Sequence, residues 1–517
     1  MTSIRPADPT AAPLTTLVAG LGLVGDTSSF APITGITLSS RDVQPGWLYV
    51  ALPGTKRHGA EFAQPAVESG AAAVLTDEEG AAIVGGLKIP VVVADDVRAV
   101  MATVSARLFG EPAAHLTTLG VTGTNGKTTT VALIKAALAS AGKLAGTIGT
   151  IGFRLGAEEL RSSRSTVTTP ESPDLQALLA VMRERGADAV AIEVSSHALA
   201  LNRVDALPFD VVGFLNLGRD HLDFHSSLED YFEAKARLFE PGRAAASVVW
   251  IDGEAGQEIA SRVGEHGQSR LITVGTSPEA DYRMSGYRAV HPLGGAATVT
   301  RGGEELILEL SLPGEYNMID AVVALAMLEA VGVPAEAALE GLAKAQIPGR
   351  MQRVDLGPGA PLVVVDFAHT PQAVEAALAS LQGIGQLVTV LGCGGDRDAE
   401  KRPGMGAAAA RYSDVTIVTD DNPRTEDPAA IRAAVMAGAR QALKPGGALQ
   451  EVAGRRAAIE AALASASEAT VVAILGKGHE RGQILAERTV DFDDVEEAAR
   501  AWRGREEGDT DARAHDA

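Results

Sequence analysis

Residues 116–141 read Leu-Thr-Thr-Leu-Gly-Val-Thr-Gly-Thr-Asn-Gly-Lys-Thr-Thr-Thr-Val-Ala-Leu-Ile-Lys-Ala-Ala-Leu-Ala-Ser-Ala. A strand-like run, Leu116–Val121, enters a glycine-containing loop and leaves it as a helical stretch. Glycines let backbone N–H groups aim at phosphate oxygens, and the following helix N-terminus adds partial positive charge. The candidate nucleotide loop is Gly123, Thr124, Asn125, Gly126, Lys127, Thr128 and Thr129. Lys127 is expected to reach the β- and γ-phosphates and Thr128 a magnesium ion. Val121 stands where the strict pattern has its first glycine, so a glycine-rich turn without a nucleotide is the plain alternative. Strand, loop, Lys-Thr and helix in that order favour the nucleotide.

Outward from this loop, apolar runs alternate with alanine-rich helical stretches. The runs are Val91–Ala94, Val190–Val194, Val211–Leu215, Leu362–Val365, Leu387–Leu391, Val415–Val418 and Val471–Leu475. They lack in/out alternation, as parallel strands covered on both faces do. The expected fold class is therefore α/β, and 517 residues suggest three domains. The expectation is a central P-loop-type, mostly parallel sheet with helices on both faces, a smaller N-terminal α/β domain and a C-terminal Rossmann-like α/β domain. Their ranges are set at 97–346, 1–96 and 347–503, with 504–517 read as a disordered, charged tail. Segment Ile272–Leu312 reads as antiparallel hairpins with a turn at Gly302-Gly303.

Composition narrows the function. Lys+Arg 45 against Asp+Glu 66 gives −21, with no Lys/Arg run, so no nucleic-acid partner is expected. The single cysteine, Cys393, excludes a disulfide framework and any multi-cysteine metal site. No apolar run approaches the roughly 18 residues of a membrane span. Leu14–Val24 lacks a signal peptide's basic start. A cytoplasmic protein is expected.

Asn216–His225 follows an apolar strand, so its polar residues fall at a strand's carboxyl end, where open α/β sheets gather ligands. Glu193 and His221 follow separate strands; each alone could be a solvated loop residue or a cap. Lys235 falls on the helical stripe of Leu228, Tyr231, Phe232, Leu238 and Phe239. Burial lowers a lysine's pKa, and a neutral amine can take up carbon dioxide to become a carbamate able to bind metal. Snorkelling, with the stem packed and the ammonium in water, is the reading these residues alone favour.

Several segments occur in order along most of the chain: Thr122–Thr128, Glu193-Val194-Ser195-Ser196-His197, Asn216–His225, Pro348-Gly349-Arg350, Asp366–Pro371, Asp421–Arg424 and Gly476–Glu480. In this set the chain resembles the Mur ligase family, and within it the branch adding the third amino acid to the UDP-N-acetylmuramoyl dipeptide of peptidoglycan. The resemblance implies an ATP-dependent, ADP-forming acid–amino-acid ligase with Mg2+ as cofactor, acting as a monomer on the UDP-dipeptide, ATP and a diamino acid. It implies catalytic roles for Lys127, Lys235 and His221. It also implies a metal site of Thr128, Glu193, His221 and carbamylated Lys235, which reverses the snorkelling reading. Oxygen-rich ligation with one imidazole suits magnesium or manganese better than zinc. Asn317 and Arg350 are implied in ATP binding, and Leu38, Ser40, Thr168, Thr169, Ser195 and Arg203 in UDP-substrate binding. Arg402, Asp421, Asn422, Pro423, Arg424, Gly476 and Glu480 are implied in diaminopimelate binding. Leu201, Phe367 and Asp320 stand where the family carries glutamine, tyrosine and asparagine.

Charge sharpens the amino-acid choice. meso-Diaminopimelate carries a distal carboxylate that lysine lacks, and the Arg424 guanidinium could pair with it bidentately. Lysine would leave that cation unpaired in a closed site, while Glu480 could take the ammonium. Three alternatives stay open here. They are the same ligation with L-lysine or another diamine, a folylpolyglutamate synthetase-like ligase, and a nucleotide-dependent binding protein with a decayed centre.

Overall fold

A computed structural model of the chain describes residues 4–7, 11–25, 27, 31–54, 56–160, 167–221, 224–291 and 293–515, with side chains as far as residue 505. Residue contacts divide it into two compact units. The first comprises 1–284, 299–305 and 320–342; the second comprises 285–298, 306–319 and 343–517. The first unit holds an N-terminal sheet domain and the central sheet domain, and the second holds the C-terminal sheet domain.

In the N-terminal sheet, Gly35–Thr37, Trp47–Val50, Ala73–Thr76 and Val91–Val93 run parallel, and Val24–Gly25 closes the far edge antiparallel. Asp96 caps the helix Val97–Leu108 by accepting from Ala99 N at 3.0 Å. That helix sends Val97, Met101, Val104 and Leu108 into the N-terminal core, where Ala177 and Ala180 of the helix Ser172–Glu184 join them. The apolar layer thus continues across Asp96.

The central sheet places Arg270–Gly275, Ala244–Trp250, Phe209–Phe214, Thr117–Thr122, Ala189–Glu193 and Ala145–Gly149 side by side and parallel. Gly152–Leu155 and Glu158–Glu159 add antiparallel strands beyond them. Ala189–Glu193 and Ala145–Gly149 are buried along their whole length, which explains why neither alternates between apolar and polar residues. The first strand of the set, Thr117–Thr122, lies inside it: the chain builds two strands on one side and then crosses to Phe209–Phe214 on the other. Such a reversal opens a crevice at the strands' carboxyl ends.

Part of the expected hairpin region differs. Arg270–Gly275 returns through the helix Glu254–His266 and pairs in parallel with Ala244–Trp250, because a helical crossover brings a strand back in the same direction. The turn at Gly302 (φ 56°) and Gly303 (φ 84°) does join Gly295–Arg301 to Glu304–Leu310.

In the second unit, Leu362–Asp366, Thr470–Leu475, Gln386–Leu391, Val415–Val418 and Ala448–Glu451 run parallel in that order, with Gln352–Val354 antiparallel at the edge. Thr470–Leu475, last in sequence, enters between the first two and creates a second reversal. The final helix, Asp494–His515, runs into the segment expected as a disordered tail from residue 504. Ala498 and Trp502 anchor it in the core, and Arg505 donates to Leu463 O at 3.0 Å. Once nucleated, a helix propagates at little cost. Residues 516–517 lie outside the described residues. Among the described residues, no helix is long and apolar enough to cross a membrane.

Candidate active site

The glycines shape the loop after Thr122. Gly126 adopts φ 89° at the N-cap of the helix Lys127–Ser140, and a Cβ there would stand 2.3 Å from Asp320 Oδ1. Both conditions exclude a side chain. Asn216, at the end of the neighbouring strand, accepts from Asn125 N through Oδ1 and from Thr124 N through its carbonyl, each at 3.0 Å. Lys127 Nζ folds onto the loop itself, donating to Gly123 O at 2.7 Å and Thr124 O at 3.0 Å.

Glu193 ends the strand beside the loop, in register with Val121. Its buried carboxylate accepts from Thr128 Oγ1 at 3.0 Å, from Thr150 Oγ1 at 3.0 Å and from Thr150 N at 2.9 Å. A hydroxyl and a carboxylate paired beside a phosphate loop form a hard-oxygen donor set that fits Mg2+.

Lys235 lies on the helix Leu228–Ala236 and is 1% exposed, so its ammonium does not reach water and snorkelling is overturned. Its Nζ donates to Gly123 O at 2.8 Å and lies 4.5 Å from the Tyr231 ring centre. Of the expected apolar stripe, Leu228 is exposed because it opens the helix, whereas Tyr231, Phe232, Leu238 and Phe239 are buried. Burial pushes the Lys235 amine well below the usual lysine range; Lys127 adds to this and Asp220 opposes it. An ammonium has no lone pair for a metal, whereas a carbamate formed on the neutral amine would offer the cation an anionic oxygen.

His221 adopts φ 55° with an exposed ring 4.9 Å from that of His197 and 6.1 Å from that of Tyr231. Among the described residues, no three His, Cys, Asp or Glu side chains gather as a metal cluster. The structure joins Thr128 to Glu193, and Lys235 to the loop carbonyl. Leu222 and Asp223 of the same segment lie outside the described residues.

The expected substrate grips sit close by. Thr169 Oγ1 donates to Glu193 O at 2.7 Å and accepts from Ser195 N at 3.1 Å; Thr168 Oγ1 lies 3.1 Å from Thr150 Oγ1. Arg203 donates to Thr169 O at 2.9 Å and to Glu171 at 3.0 Å, and Glu171 also pairs with Arg98 at 2.9 Å. Leu38 and Ser40 lie in the half-buried turn after Gly35–Thr37, with Leu38 packed on the N-terminal core.

The remaining candidates belong to the second unit. Asn317 spends its amide on Pro313 O at 2.6 Å. Arg350 stacks over Phe367, its Cζ 4.8 Å from the ring centre, and Phe367 also faces the rings of His369 and His479. Asp366 accepts from Met351 N at 2.7 Å and Ala368 N at 2.8 Å; burial raises its carboxyl above the usual range, and Arg350 pulls it down. Asn422 Nδ2 donates to Glu480 Oε2 at 2.7 Å, and fully buried Lys477 donates to the same oxygen at 3.1 Å. Asp421 is buried, its carboxyl raised by burial against the pull of Arg455 and Lys477. Gly476 (φ 115°) leaves room for it, since a Cβ there would meet Asp421 Oδ2 at 2.7 Å. Pro423 leads into Arg424 (φ 53°), whose NH1 donates to Gly395 O at 2.6 Å. Arg402 is buried and donates to Glu426 at 2.8 Å, so its cation is already matched by a carboxylate of its own chain.

Sequence reasoning passed over Thr150, Glu171 and Lys477. Only Lys477 carried a signal, a lysine between two glycines directly after an apolar strand.

A phosphate loop set at the reversal of a parallel sheet, with a buried carboxylate on its threonine, defines a nucleotide-binding α/β protein. Three family models match: the Mur ligase family catalytic domain at 32–111, the Mur ligase middle domain at 121–328, and the Mur ligase glutamate ligase domain at 349–478. The UDP-N-acetylmuramoyl-L-alanyl-D-glutamate–2,6-diaminopimelate ligase of Streptomyces coelicolor is 45% identical over 497 residues, 95% of this chain and 96% of that protein. The protein of the same name from Corynebacterium glutamicum is 43% identical, covering 88% of each chain. A solved structure of a ligase of that name aligns with a TM-score of 0.71 and 30% identity over 96% of this chain and 99% of the other. The chain belongs to the Mur ligase family.

Proposed function

We propose that this chain is an ATP-dependent, ADP-forming ligase of peptidoglycan precursor synthesis. It joins meso-2,6-diaminopimelate to the D-glutamate γ-carboxylate of UDP-N-acetylmuramoyl-L-alanyl-D-glutamate, in the cytoplasm. The observation that carries the reading is the convergence of Lys127 and Lys235 on the Gly123 carbonyl beside the Thr128–Glu193 pair. The near full-length relatives named for this reaction support the same reading.

In this reading the γ-carboxylate oxygen attacks the γ-phosphorus of ATP, ADP leaves, and the acyl phosphate is attacked by the diamino acid's amine with release of phosphate. Gly123, Gly126 and Thr129 offer backbone N–H groups to the phosphates, Thr124 and Asn125 line the loop with their own N–H groups held by Asn216, and Lys127 offsets charge on the transferring phosphoryl group. Thr128, Glu193, His221 and Lys235 as carbamate would hold magnesium, which when bound screens the repulsion between the two anionic reactants. Thr168, Thr169, Ser195 and Arg203, with Leu38 and Ser40, hold the UDP-dipeptide. Asn317 and Arg350 serve the nucleotide. Arg424 takes the distal carboxylate of diaminopimelate and Glu480 its ammonium, with Arg402, Asp421, Asn422, Pro423 and Gly476 shaping that pocket.

The test is ADP release from ATP that requires both the UDP-dipeptide and meso-diaminopimelate, with the UDP-tripeptide identified by mass. ADP release with L-lysine at the same efficiency would overturn the choice of amino acid.

A further inference from the structure

The strand Ala145–Gly149 ends beside Ala189–Glu193 with Ile148 opposite Ile192, which brings residue 150 level with the Glu193 side chain. Gly149 permits the approach, because a Cβ there would stand 2.1 Å from Glu193 Oε1. Thr150 then grips both carboxylate oxygens, its N–H on Oε1 at 2.9 Å and its hydroxyl on Oε2 at 3.0 Å. The same hydroxyl lies 3.1 Å from Thr168 Oγ1.

An ionised carboxylate accepts and never donates, and a hydroxyl has one hydrogen. The Thr150 hydrogen therefore goes to Glu193, and Thr168 must supply the hydrogen between the two threonines. We propose that Thr150 is a positioning residue that fixes the Glu193 carboxylate and commits the Thr168 hydroxyl to donate inward. Thr168 consequently meets the substrate as an acceptor only. It suits an amide N–H or a sugar hydroxyl of the UDP-dipeptide and repels a carboxylate or phosphate oxygen. This rests on the functional reading above, and it joins the carboxylate on the phosphate loop's threonine to the substrate side through one side chain.

The test compares Thr150→Val, which keeps shape and the backbone N–H but loses the hydroxyl, with Thr150→Ser, which keeps the hydroxyl. UDP-dipeptide affinity is measured by calorimetry without ATP, and the Mg2+ concentration giving half-maximal ADP release is measured separately. Groups that orient metal-binding side chains typically contribute 10–100-fold, so the valine variant should weaken both quantities by roughly tenfold or more while serine stays near wild type. A valine variant matching wild type in both overturns the relay, as does a serine variant impaired as badly as valine, which would make the methyl group the active part. Both of those failures leave wild-type ligase activity standing. A wild-type chain that neither binds the UDP-dipeptide nor releases ADP with it sinks the functional reading and the relay together.

Discussion

Replacing Lys235 with alanine should remove nearly all turnover, and its neighbours set the scale. Lys127 Nζ and Lys235 Nζ lie 2.7 Å and 2.8 Å from the same carbonyl oxygen, so the nitrogens stand no more than about 5.5 Å apart. Two unit charges at that separation interact by about 3 kcal/mol at an effective dielectric near 20. As two ammonium ions the pair repels by that amount; with Lys235 as a carbamate the pair attracts by it, a swing of about 6 kcal/mol. Alanine forfeits the attraction, roughly a hundredfold in rate at ~1.4 kcal/mol per decade, and also removes an anionic ligand for the cation. The assay is ADP release in buffers stripped of carbon dioxide and then supplied with bicarbonate, with labelled bicarbonate to reveal a carbamate signal by NMR. Wild type should gain activity with bicarbonate, and Lys235→Ala should recover part of its loss with acetate or formate. Carbamate formation needs the neutral amine, so the bicarbonate response should fade as pH falls through the lowered pKa of Lys235. The reasoning fails if Lys235→Ala turns over close to wild type, or if neither bicarbonate nor a short carboxylic acid changes any rate.

Other outcomes follow from the same geometry. Arg424→Ala should lose selection for diaminopimelate over lysine, by roughly tenfold or more for a charge-assisted bidentate contact, with ATP affinity unchanged in competition assays. Gly126→Ala must fit a Cβ 2.3 Å from Asp320 Oδ1 at φ 89°, so nucleotide binding measured by fluorescence should vanish and the unfolding free energy should fall by about 1–3 kcal/mol. Burial raises the Asp366 carboxyl above its ordinary 3.8, so the folded chain keeps that proton to higher pH than the unfolded chain. Its stabilising contribution is complete below 3.8 and is lost as pH rises through the folded value. Asp366→Asn should flatten stability against pH over that window in denaturant titrations, and an unchanged slope would count against the assignment.

What the sequence revealed depended on how far away the deciding partner lies. The nucleotide loop was legible because its glycines, Lys127 and Thr128 act within seven residues of each other along the chain. The parallel strands were legible because burial on both faces writes itself into each run separately. Lys235 was half legible: the stripe marked its face, but the choice between snorkelling and burial was settled by Gly123 O, 112 residues away. Arg402 was legible as a candidate cation, but its partner Glu426, 24 residues further on, was not. Residues 504–515 looked like a charged, solvated tail because nothing in their composition shows that they continue a helix anchored upstream by Ala498 and Trp502.

Strand order is the property that composition and periodicity never encode, yet it decides where chemistry can assemble. Thr117–Thr122 has Ala189–Glu193 on one side and Phe209–Phe214 on the other, so the loops that follow all three strands gather at one edge. Asn216 can then brace the phosphate loop and Glu193 can reach Thr128, although neither is near that loop in sequence. The second unit repeats the device: Thr470–Leu475, inserted beside Leu362–Asp366, carries Lys477 and Glu480 to Asn422. A polar residue one step past an apolar strand is thus readable as a candidate, but its partner is set by which strands become neighbours. Thr150 escaped notice for that reason: it is an ordinary threonine after a glycine until Ala145–Gly149 and Ala189–Glu193 are laid side by side.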